Sequence, residues 1–383
     1  MLSRVGIAAL STLIAGVGAT TARGPVQRPR PQPTLSYERD IRPILAENCF
    51  ACHGPDAGSR KGGLRLDELA GATKVAASGG RAVVPGDPVA STLLHRVDSP
   101  ASAPGHMPPP STGKTIAPRQ RELLRRCIGE GARYEIHWAF VPPRDHIPPK
   151  VDGVTDPIDA FLNQRIRQAG LEPTRAADRA TLLRRVTFDL VGLPPRPEEV
   201  DAFVADQRAD AYERVVDRLL ASPHFGERMA IGWLDLARYA DTHGYHIDSH
   251  RDMFRWRDWV IDAFNRNLPY DQFVSEQIAG DLLPNPTLDQ RIATGFNRNH
   301  PINFEGGAIP EEYRNAYVAD RVDTTATAFL GLTLRCAQCH DHKVEPFSQS
   351  DYYRFYAFFN NIDEEGLDGQ RGNAKPMVVA PTR

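Results

Sequence analysis

The stretch Ile41-Arg42-Pro43-Ile44-Leu45-Ala46-Glu47-Asn48-Cys49-Phe50-Ala51-Cys52-His53 decides how the rest of the chain is read. Ile41, Ile44 and Leu45 recur at helical spacing, so an amphipathic helix delivers two cysteines and a histidine at its end. The spacing of those three residues has a chemical reason. Two thiols separated by two residues can add to the two vinyl groups on one edge of a porphyrin, and the adjacent imidazole then reaches the iron from the proximal face. A second copy, Cys336-Ala337-Gln338-Cys339-His340, lies near the other end of the chain.

The chain holds 5 Cys and 12 His in 383 residues. Random placement would give such a string roughly 0.002 times per chain, so two copies are not accidental. Both are read as sites for haem c: Cys49, Cys52, Cys336 and Cys339 as thioether positions, His53 and His340 as proximal iron ligands. Plain disulfides within each pair would leave the two histidines unexplained. A structural zinc site on Cys336, Cys339 and one or both of His340 and His342 is the rival reading of the second string. Cys127 falls in an apolar helical pattern and is expected as a buried, unpaired thiol.

Downstream of the first motif comes a loop rich in glycine, then a short helix expected to open at Pro88 with Leu93, Leu94 and Val97 facing inward. Gly105-His106-Met107-Pro108-Pro109-Pro110 follows. A methionine in a proline-stiffened loop well beyond the motif is what a distal thioether ligand looks like, and such a ligand favours reduced iron. Met107 is therefore the expected distal ligand, with His106 its neighbouring rival. A helix from about Pro118 to Gly131, with Leu123, Leu124, Cys127 and Ile128 on its apolar face, closes this part.

At the N-terminus, Arg4 precedes an apolar run from Val5 to Val17, followed by Gly18, Ala19 and Ala22. A positive start, an apolar middle and a small-residue end predict a signal peptide over residues 1–22, so the chain is expected to be exported to the periplasm or cell surface. The run is short for a bilayer core of about 30 Å, and no other segment is apolar enough for a membrane helix in the mature chain. Residues 23–34, rich in Pro and Arg, read as a disordered tether. A net charge of −2 gives no reason to expect nucleic acid as a partner.

The expected fold is mostly α: a cytochrome c-like helical domain over 35–135, a Pro-rich linker over 136–150, and a larger mainly helical domain over 151–383. In the larger part, five apolar stripes at helical spacing start at Ile158, Leu182, Val215, Trp256 and Val318, and no run of alternating strands appears. The last stripe runs toward Cys336, so both motifs are expected at helix ends. Aromatic residues after the second motif, Tyr352, Tyr353, Phe355, Phe358 and Phe359, could pack a porphyrin face or form an ordinary core. Two further groups are candidates for a distal ligand. One is the run from Asp241 to Asp252 with His243, His246 and His250, which could equally supply a metal site, acid–base groups or a polar surface loop. The other is His300, although a lone histidine before a proline is more often a turn residue. Glu305 and the Glu311 to Arg314 run are expected to be solvated or salt-bridged.

Several strings resemble named families. Tyr37 to Leu45, Cys49 to His53, Val84-Pro85-Gly86-Asp87-Pro88, Met107-Pro108-Pro109, Ile128-Gly129-Glu130-Gly131-Ala132 and the exit string His137-Trp138-Ala139-Phe140 look like the planctomycete cytochrome C domain. Cys127 stands where that resemblance leads one to expect Trp. Ala237 to Thr242, Trp256-Arg257-Asp258-Trp259-Val260, Ala279 to Pro284, Ile292 to Phe296 and Cys336 to Lys343 resemble the DUF1549 family. The resemblance implies a further C-terminal domain (DUF1553) in most members, so a sequence ending at Arg383 is expected to be a truncated member or a fragment. The expected function is an exported c-type cytochrome with one or two covalent haems, passing electrons to or from an unidentified partner protein. An extracellular enzyme using the second domain, and a surface binding module with a structural metal site, are the alternatives.

Overall fold

The computed structural model describes residues 35–381 apart from 77, 78, 137, 246, 344 and 371. The expected signal peptide and tether, His137 and His246 lie outside the described residues. Among the described residues the chain forms fifteen α-helices, with three isolated β-bridges and no longer strand.

The first helical unit is assembled around the motif. The Ser36 hydroxyl accepts the Arg39 N–H and starts a π-type turn over Tyr37–Ile41, which leads into α1 (Arg42–Asn48). Pro43 sits in the first turn of α1, where a missing N–H leaves no bond unmade. One face of α1 buries Ile44, Leu45 and Ala46, and α2 (Phe50–His53) carries the motif with Phe50 turned into the same core. After α3 (Leu69–Thr73), α4 begins only at Thr92 and runs to Asp98. It does not open at Pro88, because the Asp87 carboxylate accepts the N–H groups of Val89 and Ala90 and holds that segment as a turn. The inward residues Leu93, Leu94 and Val97 are as expected. α5 (Pro118–Gly129) buries Leu124, Cys127 and Ile128, and Gly131 takes a left-handed φ of 102° just beyond it.

In the larger part, Asp156 caps α6 (Pro157–Gln168) by accepting the N–H of Ile158 and Asp159. The apolar stripe of α6 is not a core face: Ile158, Phe161 and Leu162 are exposed and only Ala160 is buried. Periodicity makes the helix there, but tertiary packing does not use it. α7 (Arg179–Val191), α8 (Pro197–Ala205) and α9 (Ala211–Leu220) share a small core of Leu183, Val186, Phe203 and Leu219. α10 (Pro223–Leu236) lies close against α11 (Phe254–Asn265), and a Cβ on Gly226 would overlap the Ile261 carbonyl. With α12 (Tyr270–Ala279) and α13 (Leu288–Ala293) they enclose Trp256, Trp259, Val260, Phe273 and Phe296. Finally α14 (Pro310–Thr325), prolonged by a π-type turn over Ala326–Leu330, packs on α15 (Gln349–Phe359) through Val318, Val322, Ala326, Tyr352 and Phe359. Among the described residues no helix is long and apolar enough to cross a membrane.

Candidate functional sites

The first motif continues directly from α1. The Cys49 N–H bonds to the Leu45 carbonyl at 2.7 Å, and the N–H groups of Cys52 and His53 return to the Cys49 carbonyl at 3.1 and 2.8 Å. A single helical turn therefore carries both thiols and the imidazole. His53 Nδ1 lies 3.2 Å from the Lys61 carbonyl oxygen. A carbonyl only accepts, so Nδ1 donates, and the neutral ring leaves Nε2 with a bare lone pair. That is the tautomer and the kind of outer support a metal-binding histidine needs. Two more bonds shape the surrounding loop, from Lys61 N–H to the Cys52 carbonyl at 2.7 Å and from Leu66 N–H to the His53 carbonyl at 2.8 Å. Gly54 is required in this turn, since a Cβ there would overlap the Phe50 carbonyl. Burial favours the neutral His53 ring and pushes the Cys49 thiol up to about 12.

Met107 is half-buried, and its N–H bonds to the Arg96 carbonyl at 3.0 Å. The Arg96 guanidinium in turn is near enough to His53 to disfavour a second proton on that ring, a smaller effect than burial. Met107 and His53 thus share Arg96 as a neighbour. The rival His106 faces the Ser99 hydroxyl at 3.4 Å.

The second motif is seated differently from the expectation of a helix end. The prolonged α14 stops at Leu330, Gly331 turns with a left-handed φ of 64°, and Cys336 falls in a separate 3₁₀ turn over Leu334–Gln338. A helix cannot pass through a left-handed residue, which is why the apolar stripe never reaches the cysteines. Cys336, Cys339 and His340 are all exposed. His340 Nδ1 lies 2.8 Å from the carbonyl of its own neighbour Asp341, so here too Nε2 is bare. His342 is buried and otherwise engaged: its ring Nδ1 accepts the Glu345 N–H at 2.8 Å, and its backbone N–H donates to the Phe347 carbonyl. Its ring braces the loop, which takes it out of the zinc reading. The turn is tied to α15 by the Tyr353 hydroxyl and the Gln349 amide, both donating to the Gln338 carbonyl at 3.2 and 3.0 Å. Of the aromatic residues on α15, Tyr352 belongs to the core, while Tyr353 is exposed beside the motif.

Residues next to the two motifs lie within electrostatic range of one another. Asp56, three residues after His53, is held below the usual carboxylate range by Ser59 and the Gly58 amide, and the His340 ring adds to the effect. Arg65, whose neighbour Leu66 bonds to His53, is held above its ordinary value by Asp67 first, with Glu68 and Asp341 contributing. Phe140 from the linker meets Phe347 edge-on with ring centres 6.1 Å apart.

The Asp241 to Asp252 run joins α10 to α11, but it is not simply a surface loop. His250 is exposed and pairs with Asp252 at 3.0 Å, whereas His243 is fully buried with its Nε2 2.8 Å from the Gly372 carbonyl. Arg251 is buried as well and donates to the carbonyls of Ala240, Asn299 and His300 at 3.1, 2.9 and 2.9 Å. Desolvation, with Arg238 and Arg298 nearby, lowers its pKa to about 10. His300 is not an exposed turn residue. It is wholly buried, its Nε2 accepts Arg321 Nη2 at 2.8 Å, and its Nδ1 donates to the Pro301 carbonyl at 3.0 Å. Burial and then the Arg321 charge hold it neutral, and with both nitrogens engaged it has no lone pair for an iron.

Beneath these residues Arg321 grips Glu364 with both ends of its guanidinium (2.6 Å for Nη1), and Arg298 bonds to the same carboxylate. Sequence reasoning missed Arg251, Arg321 and Glu364. One signal was present: Arg321 stands in the middle of a buried stripe with Tyr317, Val318, Val322 and Thr325. Glu311 pairs with Arg314 at 2.8 Å, as expected for a solvated salt bridge.

A family model described as "Protein of unknown function (DUF1549)" matches residues 157–364, and one described as "Planctomycete cytochrome C" matches residues 49–111. The first span contains Cys336, Cys339 and His340, and the second contains Cys49, Cys52, His53 and Met107. No curated protein and no solved structure matches the chain.

Proposed function

The chain belongs to the DUF1549 family and carries a planctomycete cytochrome C domain ahead of that region; from this premise we propose that it is an exported c-type cytochrome relaying electrons between two covalent haems and an external protein. Haem c, once attached, supplies a one-electron iron couple. At the first site Cys49 and Cys52 would hold it, His53 would bind the iron through Nε2, and the Lys61 carbonyl would keep the ring in that tautomer and direction. Met107 would supply the distal sulfur and bias the site toward the reduced state. Cys336, Cys339 and His340 take the same roles at the second site.

The observation that supports a relay is that residues beside the two motifs lie within electrostatic range of one another, Asp56 of His340 and Arg65 of Asp341, with Phe140 against Phe347. Two attachment sites within that range would need only the protein between them to pass an electron. Export agrees with haem c, which is attached outside the cytoplasm. The test is a spectroscopic redox titration of the full chain matured where haem-attachment machinery is present. Two one-electron transitions are expected, with the second midpoint displaced when Arg65→Ala removes a charge within electrostatic range of Asp341. A single transition, unmoved by that substitution, would contradict the relay.

A further inference from the structure

Away from both motifs, α11, α13, α15 and the segment around Met377 enclose a cleft of about 1030 Å³. That is at the upper end of the range for small-molecule sites. One wall is apolar and open to solvent: Phe358 is 74% exposed and Met377 56%. Exposed apolar side chains of this size gathered in one concavity mark a place that something covers. Four arginines, Arg251, Arg255, Arg291 and Arg298, also line the cleft, together with the exposed Asp252, Asp281 and Asp363.

These arginines are short of counter-charge. Arg251 bonds only to backbone carbonyls, and Arg298 shares its one carboxylate, Glu364, with Arg321. Among the described residues no carboxylate lies within ion-pair distance of Arg255 or Arg291, and Arg255 Nε is buried with no hydrogen-bond partner. His243 Nδ1 and Asn297 Oδ1, in two further side chains of the lining that are themselves more than nine-tenths buried, also lack a partner. Buried polar atoms and desolvated guanidinium groups are expensive to leave unmatched. A guanidinium matches a carboxylate through two parallel hydrogen bonds, and an aromatic wall matches a flat apolar body.

We propose that this cleft binds an aromatic carboxylate, its anionic head against Arg255 and Arg291 and its ring against Phe358 and Met377. The inference is independent of the haem reading and holds for the chain with or without haem. His243 Nδ1, whose Nε2 already donates to Gly372, would accept a hydroxyl from such a ligand or from a water bridging to it.

The experiment is calorimetric titration of the intact chain with 2-naphthoate and, separately, with its neutral isostere 2-naphthamide. The account predicts that the carboxylate binds at least tenfold tighter than the amide and that added salt narrows the gap. Arg255→Gln should remove at least tenfold of the carboxylate's affinity while leaving the amide's unchanged, and Phe358→Ser should weaken both. Arg255 loses only a contact over the Phe254 ring and Phe358 only an edge contact with Phe355, so both variants should keep the parent's circular dichroism and unfolding midpoint; if Arg255→Gln does not fold, Arg291→Gln serves in its place. Equal binding of the two probes would overturn the proposal. So would no heat from naphthoate at millimolar concentration, or indifference to the arginine substitutions.

Discussion

The two C-x-x-C-H strings have the same chemistry and different foundations. The first begins on the residue that closes α1, among Ile44, Leu45 and Phe50, and its histidine is oriented by a carbonyl eight residues away. The second lies on an exposed 3₁₀ turn beyond a left-handed glycine, and its histidine leans on the carbonyl next door. Support from across a loop fixes a ring in the frame of the domain, whereas support from the adjacent residue fixes it only relative to its own backbone. The first site is therefore preorganised by its core, and the second depends on the contacts that α15 makes with Gln338. The same five-residue string specifies what can bind; the surroundings specify how firmly it is presented.

Substitutions that touch one foundation and spare the other sharpen this contrast. The largest effect is expected from Glu364→Ala, which strands Arg298 and Arg321 in the interior. Removing one partner of a buried ion pair costs about 3–5 kcal/mol. Urea unfolding should show the α10–α15 region lost at much lower denaturant while the α1–α5 unit keeps its transition; a common, unshifted midpoint would break the assignment of separate supports. Next comes Gly54→Ala. Its Cβ overlaps the Phe50 carbonyl, and overpacking of this kind costs about 1–3 kcal/mol. Haem content should fall at the first motif alone, and normal content there would show that the turn can relax.

Ser348→Ala deletes the hydroxyl that accepts the Asp351 N–H at 3.1 Å and starts α15. Loss of such a cap costs about 1 kcal/mol. Hydrogen exchange should quicken over α15 and the second motif but not over α1, and uniform protection would count against α15 as the support of that motif. Met107→Ala is expected to change stability least. It should lower the midpoint potential of the first haem and abolish the sulfur-to-iron absorption band, and a band that survives would remove Met107 from the iron.

Much of this was legible in the chain. α1 could be read from Ile41, Ile44 and Leu45, α5 from Leu124, Cys127 and Ile128, and the mostly helical class from the lack of alternating patterns. Local chemistry made them legible, because a buried face leaves its period in the sequence. The failures were tertiary. Ile158, Phe161 and Leu162 show the period of a buried face and stay exposed, since what covers a helix is set by elements far away in sequence. His300 looked like a turn residue because its partners, Arg321 and Glu364, come from 21 and 64 positions downstream and join it only in the fold. The second motif was expected on a helix because the apolar stripe points at it, and the single left-handed residue at Gly331 undoes that continuity.

The most direct test of the central claim is the number of haems bound covalently, measured by intact mass and pyridine haemochrome spectra on the full chain matured in a periplasm with haem-attachment machinery. Two per chain are expected, falling to one when Cys49 and Cys52 are both replaced by Ala and to one when Cys336 and Cys339 are. One haem in the parent chain, lost with Cys49 and Cys52 and indifferent to Cys336 and Cys339, would contradict the two-haem relay and leave the second motif with some other role.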